Sequence, residues 1–180
     1  MRVFGKWVNN IKLFDLDSHV VEYIDARRVD ILEILKAGIN VFPYVHEVSL
    51  IDGKRYVDAA IVDIIGADLL KKRHPNEKII IVLNRPMIKK WKYRIKNIIE
   101  GKFMEWMFND PQLYKLYSSA EDRLAKDLEI IKHDDQFILI TPSRDIGIGS
   151  ITTDKKLLEE LYNIGISEGE RVIKNLELIS

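Results

Sequence analysis

Two short apolar runs, with a long helical region between them, constrain the fold of this chain most. The first is K-I-I-I-V-L-N, residues 78–84, and the second is F-I-L-I-T-P, residues 137–142. Both are short and rich in β-branched residues, which favours strands buried on both faces. Helical patterns alternate with these strands along the second half of the chain. The sequence therefore predicts an α/β layer fold with a mostly parallel sheet.

Two hairpins are predicted in the first half of the chain. Asp52-Gly53 lies between apolar segments, and this dipeptide favours the positive φ angles of a tight hairpin turn. A second hairpin is predicted from strands at Val3–Val8 and Ile11–Leu16, which flank Asn9-Asn10. The predicted sheet thus carries a β-hairpin ahead of its buried strands.

Helices are predicted from apolar spacing and from residues typical of helix ends. Asp110 followed by Pro111 is typical of a helix N-terminus, and Gly38 is typical of a C-terminal stop. The predicted helical regions are 30–36, 64–73, 88–133 with interruptions near Gly101 and at Asn109–Pro111, and a closing region capped by Thr153 or Asp154.

Composition limits the classes of protein to which the chain can belong. Its 180 residues suffice for one domain, so residues 1–180 are expected to form a single domain. The 28 basic residues equal the 28 acidic ones in number, which argues against a dedicated nucleic-acid binder. The chain contains no cysteine, which excludes disulfides, thiolate zinc sites and cysteine nucleophiles and fits a cytoplasmic location. The four histidines are isolated, so no metal or cofactor is predicted.

The segment G-I-S-E-G, Gly165–Gly169, matches the G-x-S-x-G pattern of serine hydrolases. In those enzymes the serine lies on a strained turn between a strand and a helix. The residues around Ser167 instead have helical apolar spacing, so we interpret the segment as part of a C-terminal helix, either continuous or broken near Gly165. The two glycines would let another element pack closely against that helix. The residues that carry this spacing are Leu157, Leu158, Leu161, Ile164, Val172 and Leu176.

The best candidate for chemistry is Asp58 in Y-V-D-A-A-I-V-D, residues 56–63. This carboxylate follows the second strand of the Asp52-Gly53 hairpin and precedes a helix, and the small residues Ala59 and Ala60 leave space beside it. A carboxylate at a strand end can act as a general base when a hydroxyl lies within hydrogen-bonding reach. Alternatively, Asp58 satisfies turn amides, a role that Asp63 could also fill.

An ordered series of segments resembles the patatin-like phospholipases, which are lipid acyl hydrolases with a Ser-Asp dyad. I-D-G-K-R-Y-V-D, residues 51–58, resembles the aspartate motif of that family. K-I-I-I-V-L-N-R-P, residues 78–86, and T-P-S-R-D-I-G-I-G-S-I-T-T-D, residues 141–154, resemble later segments of its bacterial predicted-esterase branch. The resemblance covers nearly the whole chain but only the C-terminal part of the family domain. It implies a three-layer patatin-like fold, hydrolysis of carboxylic or lipid esters, and Asp58 as the aspartate of the dyad.

The chain departs from the family pattern at two places. Ala59 stands where the family has glycine, and no Gly-rich oxyanion loop or G-x-S-x-G segment precedes Asp58. The serines upstream of Asp58, Ser18 and Ser49, lack flanking glycines. We therefore expect the chain to be inactive alone and to self-associate or pair with an N-terminal half, whether Met1 is a true start or a truncation. The alternative is a non-catalytic lipid-interface or protein-binding module derived from the same fold.

Residues 87–108 suggest a membrane contact. Ile95, Ile98 and Ile99 recur at helical spacing with Ile88 and Trp91, and basic residues lie between them. A basic amphipathic helix with aromatic residues can bind in a lipid interface, which would suit a lipid hydrolase. The alternative is an ordinary surface helix that packs this stripe on the sheet.

Overall fold

The computed structural model describes five stretches of the chain: residues 10–27, 29–41, 47–86, 91–149 and 152–177, without the side chains of 91–93 and 177. The predicted strand Val3–Val8 lies outside them. The strands are β1 (Asn10–Asp15), β2 (Val20–Asp25), β3 (Ser49–Ile51), β4 (Lys54–Asp58), β5 (Ile79–Val82) and β6 (Phe137–Ile140). The helices are α1 (Ile31–Ile39), α2 (Ala67–Arg73), α3 (Trp91–Phe108), α4 (Pro111–Ser118), α5 (Ala120–His133) and α6 (Lys155–Glu177), and a 3-10 turn spans Ala59–Ile61.

The fold is mixed α/β and divides into two compact units. The first comprises Met1–Gly66 with Trp91–Asp127, and the second comprises Ala67–Lys90 with Leu128–Ser180. The first unit contains a four-stranded sheet in the order β2-β1-β4-β3, in which every pairing is antiparallel. The second contains β5 and β6 as a parallel pair. The parallel pairing of the two apolar runs is thus confirmed, but the expected mostly parallel sheet is wrong for the described strands.

Helices pack on both faces of the antiparallel sheet. Phe14 and Val57 face a core completed by Met104 of α3 and by Leu113 and Tyr117 of α4. Their neighbours along the strands point the opposite way because side chains alternate across a strand. On that second face, the residues that pack together are Leu13, Ile51, Tyr56, Ile34 and Ala37, the last two from α1.

Turn and cap chemistry explains several element boundaries. Asp52 and Gly53 have φ angles of 50° and 80°, so the predicted β3–β4 hairpin is confirmed. The predicted cap at α4 is also confirmed, since Asp110 accepts a hydrogen bond from the Gln112 N–H and Pro111 occupies the first turn. Asp154 Oδ1 likewise accepts from the Lys156 N–H at 2.9 Å at the start of α6.

The sequence missed the partner strand of β1. The buried Asp15 carboxylate accepts hydrogen bonds from the Asp17 and Ser18 amides at 2.9 and 3.2 Å, which stabilises the turn that leads into β2. β2 then pairs with β1 along its full length.

Three glycine interpretations are corrected by the structure. Gly38 does not stop α1, which continues to Ile39; a Cβ there would lie 3.0 Å from Ile11 Cγ2. Gly101 does not interrupt α3, and Gly165 does not break α6. The predicted helix at 64–73 begins only at Ala67, after Gly66 with a φ of 77°.

The expected burial of β5 on both faces is also wrong. Ile81 is buried, but Ile80 and Val82 on the other face are more than half exposed. Among the described residues, none of the helices combines the length and the apolarity that crossing a membrane requires.

Candidate functional site

Asp58 lies at the C-terminal end of β4, in the first unit. Its strand is held between β1 and β3, with Leu13 opposite Asp58 in the register with β1. The Asp58 N–H donates to the Asn40 carbonyl at 3.2 Å, which ties the strand end to the C-terminus of α1. The backbone position of the carboxylate is therefore fixed by three separate elements.

The carboxylate of Asp58 caps the 3-10 turn that follows β4. Its Oδ1 accepts a hydrogen bond from the Ala60 N–H at 2.9 Å. Ala59 is buried at the start of this right-handed turn, so the position does not need the positive φ that favours glycine. The alanine in place of the family glycine is therefore compatible with the local backbone.

Burial raises the pKa of the Asp58 carboxyl above its ordinary value, although the Ala60 amide and the charge of Lys12 oppose the shift. Desolvation disfavours the charged form of an acid, and a raised carboxyl pKa is one property of general bases in active sites. The bond from the Ala60 N–H is also the one that an aspartate at a turn makes, so Asp58 has a structural role as a cap.

A groove of about 390 Å³ lies between α1 and β3, beside Asn40. We call it the α1–β3 groove. Ile39, Val48 and Leu50 give it apolar walls, and its polar lining residues are Glu33, Lys36, Asn40, Glu47 and Ser49. It thus combines an apolar surface with a few polar groups, as small-molecule sites do.

Asn40 connects the groove to Asp58, and sequence reasoning missed it. Its side chain is only 3% exposed, and its Oδ1 has no hydrogen-bond donor among the described residues. A buried amide oxygen without a donor costs free energy, and this oxygen is closed to solvent in the described structure. The only sequence signal was its position directly after the end of α1.

The other carboxylates near Asp58 have structural partners. Asp63 Oδ2 lies 3.3 Å from Lys12 Nζ, and Lys12 also donates to the Ile65 carbonyl at 3.1 Å. Asp127 accepts from the Gly66 N–H at 2.9 Å. Burial lowers the pKa of Lys12, although Asp63 opposes the shift. This cluster stabilises the loop between the 3-10 turn and α2.

The described serines lie in elements that do not bring a hydroxyl to the Asp58 carboxylate. Ser167 lies exposed in the middle of the continuous helix α6, so the prediction that G-I-S-E-G is helical is confirmed. Ser49 lies in β3 opposite Tyr56, and Ser18 lies in the β1–β2 turn. Among the described residues, no serine or threonine hydroxyl hydrogen-bonds to the Asp58 carboxylate.

The described histidines pair with single carboxylates. His19 Nε2 lies 2.6 Å from Asp110 Oδ2, and His74 and His133 lie 3.3 and 3.6 Å from Glu77 and Glu129. His46 lies outside the described residues. Within the described ranges, no three His, Asp or Glu side chains are grouped closely enough to hold a metal ion.

In the predicted membrane helix, the three isoleucines of the apolar stripe whose side chains are described are exposed to solvent. Ile95, Ile98 and Ile99 of α3 face solvent together with Trp106, which is 76% exposed. The opposite face carries the buried Met104. The alternative, in which this stripe packs on the sheet, is therefore wrong for these three isoleucines. Ile88 and the side chain of Trp91 lie outside the described residues.

No protein-family model matches this sequence, and no curated protein matches it either.

Proposed function

We propose that this chain is the base-bearing part of a patatin-like acyl hydrolase with the three-layer fold of that family. Asp58 is the dyad aspartate, which accepts the proton of a serine hydroxyl during hydrolysis of a carboxylic or lipid ester. The observation that carries the proposal is the placement of Asp58: a half-buried carboxylate with a raised pKa at the end of β4. The ordered resemblance of the segments around it supports the same role.

The α1–β3 groove suits one part of such a substrate. Its walls at Ile39, Val48 and Leu50 can cover an acyl chain, and Lys36 and Ser49 at its rim can donate hydrogen bonds to an ester or head-group oxygen. Asn40 also holds the Asp58 backbone through its carbonyl. Asp58 does not itself line the groove, so Asn40 is the link between them: it lines the groove and accepts the Asp58 N–H.

In this proposal the serine that Asp58 serves lies in the N-terminal half of such a domain, on the same chain or on a second one. A carboxylate alone accepts a proton but provides neither a covalent intermediate nor a stabilised oxyanion. Losing a single oxyanion donor typically costs about 100- to 1,000-fold in rate, and here the nucleophile is missing as well. The chain alone should therefore be inactive toward esters.

Ester hydrolysis by the isolated chain tests this directly. We expect no turnover of short p-nitrophenyl esters above buffer and no labelling by a fluorophosphonate serine probe. Ser167→Ala is the informative variant, because Ser167 is exposed on α6 and its replacement should leave the fold intact. Turnover or labelling that disappears in Ser167→Ala would make this chain a self-contained serine enzyme and contradict the proposal.

The second candidate is a non-catalytic module that binds lipid interfaces through α3. The exposed Ile95, Ile98, Ile99 and Trp106 favour it, since an apolar face with an aromatic residue can bind in a bilayer interface. Arg94, Lys96 and Lys102 pair with carboxylates at 3.4, 3.5 and 2.8 Å. Apolar insertion therefore contributes more to binding in this candidate than does attraction to anionic lipid.

A further inference from the structure

Helix α6 carries an apolar stripe that the described residues of its own unit leave uncovered. At 100° per residue, six positions after Lys155 lie within one narrow sector of the helix, which Lys155 also shares. Five of them are large apolar residues between 40% and 69% exposed. We call this set the α6 stripe: Leu158, Tyr162, Ile166, Gly169, Ile173 and Leu176.

The stripe is distinct from the face by which α6 contacts its own unit. Leu157, Leu161, Ile164 and Val172 are half-buried and lie on the adjacent side of the helix. A helix with a single apolar face buries that face against one packing partner. Helix α6 has a second apolar sector, the α6 stripe, in addition to the face that contacts its own unit. An exposed apolar surface of this kind marks an interaction site.

The centre of the stripe is open to a close approach. No atom lies within 4 Å of a Cβ built at Gly165 or at Gly169. The expectation that these glycines admit a neighbouring element is therefore not met within the described chain. The space they leave is available to an element from another molecule, and the absence of Cβ atoms would let its backbone come near.

The charges beside the stripe indicate which element that is. Glu159, which also lies 3.7 Å from Lys155 of its own helix, and Lys174 lie on the same solvent-facing flank, on opposite sides of a midpoint between Ile166 and Ser167. When two identical helices pair antiparallel, the same flank of each meets the other. A pair centred at this midpoint sets Glu159 of each copy opposite Lys174 of the other and brings Tyr162 close to Ile173.

We propose that α6 is the dimer contact of this protein and pairs antiparallel with α6 of a second copy. Apolar burial along the stripe supplies most of the affinity. The two Glu159–Lys174 pairs fix the direction and register of pairing, because exposed ion pairs contribute little affinity but oppose the wrong partner arrangement. The G-I-S-E-G segment is thus the close-approach point of an interface.

A charge-swap series on the full chain tests the pairing. Sedimentation velocity should show a monomer–dimer equilibrium that Glu159→Lys alone or Lys174→Glu alone weakens by roughly tenfold. The double variant should recover most of the original affinity, since the two pairs form again with reversed signs. Glu129→Lys, the same charge change on an exposed residue of α5 in the same unit, should leave the equilibrium unchanged.

Single cysteines test the direction, because the natural chain contains none. Ile166→Cys, near the midpoint, should form an intermolecular disulfide under mild oxidation. Leu158→Cys should not, since an antiparallel pair separates the two copies of residue 158 by roughly 25 Å at about 1.5 Å per residue, far beyond disulfide reach. Cross-linking of both variants would indicate a parallel pair and overturn the proposal.

Two other results would also overturn it. One is a protein that stays monomeric at every concentration at which it stays dissolved. The other is a dimer that ignores both charge reversals, because the contact would then lie elsewhere, for example at the open edges of β5 and β6. If the natural partner of the stripe is an N-terminal half or lipid, the isolated chain should stay monomeric. Unchanged far-UV circular dichroism of each variant would show that its overall helix content is preserved.

Discussion

Asp58 is subject to opposing electrostatic influences. Burial disfavours its charged form, whereas the Ala60 N–H and the charge of Lys12 favour it, and the net result is a raised pKa. The folded protein thus holds the Asp58 proton more tightly than the unfolded chain does. The stabilisation from this difference is fully present below the ordinary pKa of 3.8 and is lost as the pH rises through the folded pKa.

Asp58→Asn should therefore raise the free energy of unfolding near neutral pH and change it little in acid. Asparagine keeps an oxygen that can accept from the Ala60 N–H but has no charge to desolvate. Urea unfolding at both pH values measures the difference. Asp52→Asn is the matched control, since Asp52 is exposed and asparagine tolerates its φ of 50°. A loss of stability in Asp58→Asn at neutral pH would contradict the direction of the pKa shift.

At the scale of helices, the glycines of α3 and α6 should respond in opposite ways to alanine. Gly165→Ala should raise the free energy of unfolding by roughly 0.5–1 kcal/mol, because alanine favours helix and no atom lies within 4 Å of its new Cβ. Gly101→Ala should lower it, because its Cβ would lie 3.2 Å from Tyr117 Cβ and 3.3 Å from the Tyr114 carbonyl oxygen.

Urea unfolding of both glycine variants measures these changes at a chain concentration low enough to exclude pairing through α6. Equal responses would show that helix propensity alone decides the outcome and that α3 and α4 do not need this close approach.

The exposed face of α3 gives a second test at this scale. If α3 inserts into a lipid interface, Ile99→Asn should reduce co-sedimentation with anionic vesicles severalfold, since an exposed apolar side chain is replaced by a polar one. Leu32→Asn on α1 is the matched control, because Leu32 is exposed to a similar extent, 66% against 64% for Ile99. Binding should also rise with anionic lipid and fall with salt. Equal loss in both variants would indicate non-specific adsorption.

The sequence predicted those features whose chemistry is local. The Asp52-Gly53 hairpin and the Asp110-Pro111 helix start follow from φ preferences and capping within a few residues. Gly101 was misread because a mid-helix glycine resembles a break until its tertiary neighbours Tyr114 and Tyr117 are known. β2 was missed although Asp17 and Ser18 signal a turn before it.

The exposure of β5 and the residues that surround Asp58 depend on tertiary contacts. The exposed face of β5 could not be predicted, since an apolar run does not reveal whether a second layer covers it. Asp58 was placed correctly at a strand end, but the unsatisfied Asn40 amide beside it has no sequence signature. Turn chemistry predicts where a strand ends. It does not predict that the end of α1 places Asn40 beside that strand end.

At the scale of the whole molecule, the proposed function requires a second component. The described residues provide a candidate base and an amphiphilic groove, but no hydroxyl paired with that base. Such a base contributes to catalysis only when the serine and the oxyanion donors are supplied from outside the given sequence, by a longer chain or by a second polypeptide. Pairing through α6 and pairing with an N-terminal half are separable, because the Glu159 and Lys174 variants leave Asp58 unchanged.

The most direct test of this account is reconstitution with an added N-terminal half that carries a Gly-rich oxyanion loop and a G-x-S-x-G segment. Once the two chains co-sediment, p-nitrophenyl ester hydrolysis should appear. Asp58→Asn should abolish it and Asp52→Asn should not, because only the first removes the proposed proton acceptor. Turnover that survives Asp58→Asn, or a stable complex with no turnover, would contradict the assignment of Asp58 as the base.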